Sequence, residues 1–186
     1  IDRLPFLDRN AFQTRFFSQR WEVRIYSILM DYTQGLYRYQ NSDFIIPFGD
    51  FLVDITKEAN WGRYIKLSSD NGMTRDFLSW FSDNFSFRGV LDTYQLQENL
   101  KWVRNSISKD SLFIILNASE VKMPHLTEID RGAHYEKNNT VVDKFIQTHK
   151  NNMLCDIRKH IRDEHDVTDN IRHYQRQKYF DIAKDL

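Results

Sequence analysis

A histidine works as a general base when a nearby carboxylate fixes its tautomer and steadies the imidazolium. Thr168-Asp169-Asn170-Ile171-Arg172-His173-Tyr174 supplies such a pair, with Asp169 four residues ahead of His173. The same stretch also reads as a helix start, with Thr168 or Asp169 as N-cap and His173 in the first turn. Asn117 supplies a second kind of group. A side-chain amide at the end of a strand can donate to a developing oxyanion, or it can simply close a turn. A base with its orienting acid and an oxyanion donor are parts of an acyl-transfer site. The nucleophile is not evident.

Other chemistries find less. His160 and His165 are five apart beside Asp163, Glu164 and Asp166. That is no recognised ligand spacing, and such runs are usually solvated loop, so no metal site is expected. Cys155 is the single cysteine. It excludes an intrachain disulfide framework and a multi-thiolate zinc site, and its apolar neighbours suit a small buried hydrophobe. No Walker loop, dinucleotide-binding glycine motif or serine elbow is present, so no cofactor is expected. Asn84, Asn117 and Asn138 head glycosylation sequons. The one at Asn117 is discounted because it straddles a strand's end.

These groups need a frame, and the pattern predicts one. Leu112-Phe113-Ile114-Ile115-Leu116 is apolar on both faces, as in a central parallel strand covered by helices. Strands are also expected at 43–48 and 153–157. Helices are expected at 11–40, from a stripe of aromatic and aliphatic residues at steps of three and four, and at 74–81, 91–108, 137–150 and 170–186. Residues 56–72, 82–90 and 121–136 read as loop or turn. The order is that of an α/β domain with a mostly parallel sheet, in one piece over 1–186. Ligands in such sheets bind outside the carboxyl ends of the strands. This singles out the loop after the 43–48 strand, the segment 117–120, and the stretch after 153–157. The aromatic stripe reads as core or as a partner interface, which leaves homo-oligomerisation through 12–39 open.

Composition limits the partners. The chain has 186 residues, with 26 Lys plus Arg against 26 Asp plus Glu. Zero net charge gives no electrostatic argument for nucleic acid. No apolar stretch reaches the roughly 18 residues of a transmembrane helix. Aromatic residues make up 15%, while there are only 6 Gly and 3 Pro, which suits an element-rich folded domain. The chain begins Ile1-Asp2-Arg3 without methionine, so a processed chain or a piece of a longer one is expected. No signal-peptide pattern opens it, and a cytoplasmic location is the expectation.

The run of features then becomes familiar. Leu116-Asn117-Ala118-Ser119-Glu120 ends a strand, Leu154-Cys155-Asp156-Ile157 forms another, and Thr168 to Tyr174 leads into Tyr179-Phe180-Asp181-Ile182-Ala183. Over about 95–186 this resembles the carboxyl-terminal half of the SGNH (GDSL-like) hydrolase and acyltransferase superfamily, most of all bacterial members associated with surface-polysaccharide synthesis. The resemblance implies a three-layer flavodoxin-like fold and a serine ester hydrolase or O-acyltransferase acting on a carbohydrate. It implies His173 as catalytic base, Asp169 (or Asp166) as its acid and Asn117 as oxyanion donor. The chain departs from the family's pattern in three places. The family's acid stands three residues before the histidine, where this chain has Asn170. The pattern of glycine, any residue, asparagine and aspartate is missing around Asn117. The sole Gly-Asp, Gly49-Asp50, is followed by Phe51 where the family has its serine. Ser69 and Ser119 follow no glycine elbow. The nucleophile block is thus expected before Ile1, on another chain, or lost, and the sheet is expected to lack its first strand if the block is upstream. The alternative is a non-catalytic relative that binds glycan or scaffolds a polysaccharide-synthesis protein.

Overall fold

The computed structural model describes residues 14–30, 34–49, 52–67, 73–122, 131–168 and 173–186. Its contacts divide the chain into two compact units. One gathers the described residues of 1–18 and 32–91, the other those of 19–31 and 92–186.

The second unit carries the parallel sheet. Strands β1 (Val23–Ser27), β5 (Leu112–Leu116) and β6 (Asn152–Cys155) lie in the order β1-β5-β6, all parallel. Ser27 faces Leu116, which in turn faces Cys155. The central place expected for 112–116 is where β5 lies, and Phe113, Ile114 and Ile115 are wholly buried. Side chains alternate across a strand. Ile114, with Leu112 and Leu116 beside it, joins Val121, Cys155, Ile157, Ile161, Val167, Tyr174 and Ile182 in one core. Helices α3 (Thr93–Asn105) and α4 (Arg131–Ile146) pack on each other and bury Leu96, Leu100 and Val103 on α3 and Tyr135, Val142 and Phe145 on α4. A capping box between Asp92 and Gln95 starts α3. Helix α5 (Arg176–Ala183) closes the chain.

The first unit holds an antiparallel sheet, β3-β2-β4, from β2 (Gly35–Tyr39), β3 (Ile45–Phe48) and β4 (Phe85–Phe87), with α1 (Trp61–Leu67) and α2 (Arg75–Asn84). Its core is aromatic. Tyr37 is fully buried, donates its hydroxyl to Val53 O (2.9 Å) and accepts from Ile55 N–H (3.0 Å). The Phe81 and Phe85 rings stack at 4.4 Å. Pro47 is tolerated because β3 is an edge strand, where a missing N–H costs no ladder bond.

Several expectations are corrected. The helix over 11–40 does not exist among the described residues, and β1 and β2 stand there instead. The stripe at three and four coincided with two short β-branched and aromatic runs, whose period of two was obscured between them. The oligomerisation surface was expected on that helix, and strands occupy the place instead. The strand near 43–48 is antiparallel and belongs to the second sheet. Residues 61–67 are helical, 85–87 are a strand, and α4 begins at Arg131, six residues earlier than expected.

Candidate functional site

The carboxyl ends of β5 and β6 are joined by side chains. Asn117, one residue past β5, is wholly buried. Its amide nitrogen donates to Asp156 Oδ1 (2.8 Å) and its oxygen accepts from Ile157 N–H (2.7 Å). Asn139 on α4, equally buried, accepts from Ala118 N–H (3.0 Å) and donates to Ala118 O (2.8 Å) and Glu120 Oε1 (2.7 Å). Asn139 thus supplies donor and acceptor to the Ala118 backbone, while Asn117 accepts from backbone and donates to a carboxylate.

Arg158 ties the same ends together by charge. Its Nε donates to Asp156 Oδ1 (2.7 Å) and its Nη2 to Asp156 Oδ2 (3.0 Å). The fork also grips Asp143 on α4, Nη1 to Oδ2 at 2.9 Å and Nη2 to Oδ1 at 2.8 Å, and Glu120 lies 3.5 Å away. Burial pushes the Asp156 carboxyl up, but hydrogen bonds from Arg158 and Asn117 outweigh it and hold the group below the ordinary carboxylate range. The hydrogen bonds that Arg158 donates to Asp156 and Asp143 raise its own guanidinium further. A cleft of about 270 Å³ opens here, lined by Glu120, Val121, Arg158, Ile161 and Arg162.

His173 lies beyond the final turns of the sheet and is exposed. Val167 and Tyr174 form an antiparallel bridge, and the His173 carbonyl accepts from Thr168 N–H (2.8 Å) and Thr168 Oγ1 (3.2 Å). Both bridge residues are buried in the core under β5 and β6, so the backbone that carries His173 is anchored on each side. Burial, with the phenols of Tyr135 and Tyr179, pushes the Tyr174 hydroxyl up. Helix α5 starts only at Arg176 with Gln175 as N-cap, so His173 is not a first-turn residue.

The remaining expected residues separate. Asp169 lies outside the described residues, as does Ser69. Asp166 is committed elsewhere: it pairs with Lys178 on α5 (2.6 Å) and accepts from Arg162 N–H (2.8 Å). Burial opposes these bonds, but they hold its carboxyl low. Ser119 is wholly buried, and its Oγ accepts from Val121 N–H (3.2 Å). Burial, then Asp185 and Asp156, push the Cys155 thiol up. His160 pairs with Asp185 at 2.8 Å. Among the described residues no group of three His, Cys, Asp or Glu is placed to hold a metal ion. No helix among them is long and apolar enough to cross a membrane. Asn117 and Asn138, both sequon residues, are wholly buried.

Ser27 was not found by sequence reasoning. It closes β1 at the carboxyl end of the parallel sheet, opposite Leu116 and so beside the Asn117 turn. It is half-buried, and its Oγ accepts from Leu29 N–H (3.3 Å). The signal was the alternation Val23-Arg24-Ile25-Tyr26, hidden within an apparent helical stripe. Asp143, Glu120 and Asn139 carry no local signal, since only the fold brings them to Arg158 and Ala118.

Compared with protein-family models, curated proteins and solved structures, the chain matches none.

Proposed function

We propose that this chain works as an SGNH-type ester hydrolase or O-acyltransferase on a carbohydrate, with His173 as general base. The supporting observation is the setting of His173. It is an exposed imidazole on anchored backbone, in the segment that follows the carboxyl end of a parallel sheet, where open sheets of this kind bind ligands. In this reading the parallel sheet is the middle layer of a flavodoxin-like fold, and the protein acts in the cytoplasm on a carbohydrate or acyl ester.

The chemistry is acyl transfer through a serine ester. The serine Oγ bonds to the acyl carbon while His173 takes its proton. The ester C–O bond then breaks, and His173 returns the proton to the departing alkoxide. Water or a sugar hydroxyl reverses the sequence. Among the described serines, Ser27 fits the nucleophile's place best, because it ends a parallel strand and is not sealed in the core. Asp169 is the acid assigned to orient His173. The chemistry asks for no metal or nucleotide.

A second reading is a non-catalytic domain that binds glycan or scaffolds a larger assembly. It is favoured by Asn117, whose amide is buried and already engaged at both atoms. One experiment separates the two. The full chain should hydrolyse a short-chain aryl ester and take up a fluorophosphonate probe at Ser27. His173→Ala should cut turnover by about a hundredfold or more, with an unchanged circular-dichroism spectrum. Full activity in His173→Ala, or neither labelling nor turnover in the native protein, would sink the enzymatic reading.

A further inference from the structure

At the opposite, amino-terminal end of the parallel sheet stands a group of cations that the proposed chemistry does not use. Arg104, in the last turn of α3, is buried to 6% exposure. Its Nη2 donates to Lys109 O (2.7 Å) and its Nη1 to Ser111 O (3.2 Å), while its buried Nε has no acceptor. Arg104 makes no ion pair with any described carboxylate. A second buried guanidinium, Arg24, reaches the hydroxyl of the same Ser111 (2.5 Å).

His149 faces Arg104, with its Nε2 3.4 Å from Arg104 Nη2. The other ring nitrogen, Nδ1, is 3.2 Å from Asn151 N–H. A neutral imidazole has one N–H and one acceptor nitrogen, and a protonated one has no acceptor. Two donors therefore face a ring that can accept only one of them. If Nδ1 accepts from Asn151, then Nε2 carries the proton and faces the guanidinium N–H of Arg104 at 3.4 Å, donor against donor. If Nε2 accepts from Arg104, then Nδ1–H opposes Asn151 N–H. A part-buried donor left this way costs free energy until an acceptor arrives. Lys109 and Lys150 flank the ring, are exposed, and have no ion-pair partner among the described residues. The carboxylates of Asp110 and Glu22 line a neighbouring cleft with Arg20, Trp21, Ser108 and Ser111. In either tautomer one of the two donors facing the ring lacks its acceptor. Partial burial, then Arg104, Lys150 and Lys109, hold the His149 pKa low, as expected of a ring surrounded by positive charge.

We propose that Arg104, His149, Lys109 and Lys150 form a binding site for a tetrahedral oxyanion, either free phosphate or the phosphate group of a sugar phosphate. The ligand's oxygens accept from Nε2–H of His149 and Nη2–H of Arg104, and the two ammonium groups balance its charge. A charge-assisted hydrogen bond from a guanidinium to a phosphate oxygen is among the strong ones.

The test uses the whole chain at low ionic strength, titrated with inorganic phosphate and followed by the imidazole NMR signals. The His149 signals are assigned by their loss in His149→Gln. A saturable shift of the His149 signals below about 10 mM phosphate is expected. The variant Lys109→Gln/Lys150→Gln, altered only at exposed positions, should bind about fivefold or more weakly. Glucose 1-phosphate is titrated in parallel. Tighter binding than phosphate assigns the site to a phosphate ester, and equal binding assigns it to the free ion. No shift at His149, an equal shift with chloride, or undiminished affinity in the double-lysine variant would overturn the proposal.

Discussion

Asn117 connects two loops through one side chain, and its replacement separates two roles. Asn117→Ala removes the acceptor for the buried Ile157 N–H and the amide donor to Asp156. Leaving a buried donor unsatisfied costs about 1–3 kcal/mol, and the thinned support of a carboxylate adds to it, so a loss of about 2–4 kcal/mol in urea unfolding is expected. A stable Asn117→Ala protein with reduced ester turnover would instead assign the amide to the oxyanion. The neighbouring carboxylates predict the acid behaviour. Asp156 and Asp166 are both held below their ordinary range in the folded protein. A depressed folded pKa gives stability that is fully present above the unfolded value, about 3.9, and is lost as pH falls through the folded one. The melting temperature should therefore drop steeply below about pH 4. In Arg158→Met the main bond that lowers Asp156 is gone. The melting temperature at neutral pH should then be lower, and the drop between pH 5 and pH 3 smaller, by calorimetry.

The antiparallel element of the first unit turns on Gly35. A Cβ added there would stand 2.7 Å from Phe87 Cε2 and 3.2 Å from Tyr37 Cε2, in a core where the Tyr37 and Phe87 rings lie 5.2 Å apart. The Cβ would force the half-buried Phe87 ring off the fully buried Tyr37, so Gly35→Ala should destabilise the protein by about 1–3 kcal/mol, read as a lower urea midpoint. This element also shows where the sequence could be read and where it could not. β5 was plain because five consecutive apolar residues fit only a strand buried on both faces. Helices α2 and α3 were plain because their apolar positions repeat at helical spacing, whereas the caps Thr74 and Asp92 that start them emerge only in the structure. β1 and β2 were not, because Trp21, Ile25, Ile28, Leu29, Tyr32, Leu36 and Tyr39 keep helical spacing by coincidence across two strands. The gap between the strands carries no proline to break the pattern. At the candidate site, His173 and Asn117 stood out by residue type and order. The lattice of Arg158, Asp143, Glu120 and Asn139 did not, since its members come from three separate segments that only tertiary contact unites.

At the scale of the molecule, the parallel sheet is assembled from distant parts of the chain. β1 arrives before the first unit's segment, and β5 and β6 arrive after it, so 19–31 and 92–186 form one unit although 60 residues (32–91) intervene. β1 covers one whole edge of β5, in register from Val23 opposite Leu112 to Ser27 opposite Leu116. It also brings Arg24, which donates to Ser111 Oγ (2.5 Å), Trp21 O (2.9 Å) and Gln19 O (2.6 Å), while Ser111 Oγ donates to Trp21 O (2.6 Å). Without β1, the backbone groups of β5 along that edge lose their partners beside three fully buried side chains. A two-stranded remnant is marginal in water. A fragment of 92–186 expressed alone should therefore lack the cooperative unfolding transition of the full chain. The β5 amides, which should exchange slowest in the intact protein, should exchange within the dead time of a hydrogen-exchange measurement. Adding a 19–31 peptide in excess should restore their protection by supplying the missing strand. Native-like protection in the fragment without the peptide would mean that β1 is dispensable to the sheet. Ser27 would then stand on an element the site does not need, and the nucleophile would have to be sought elsewhere.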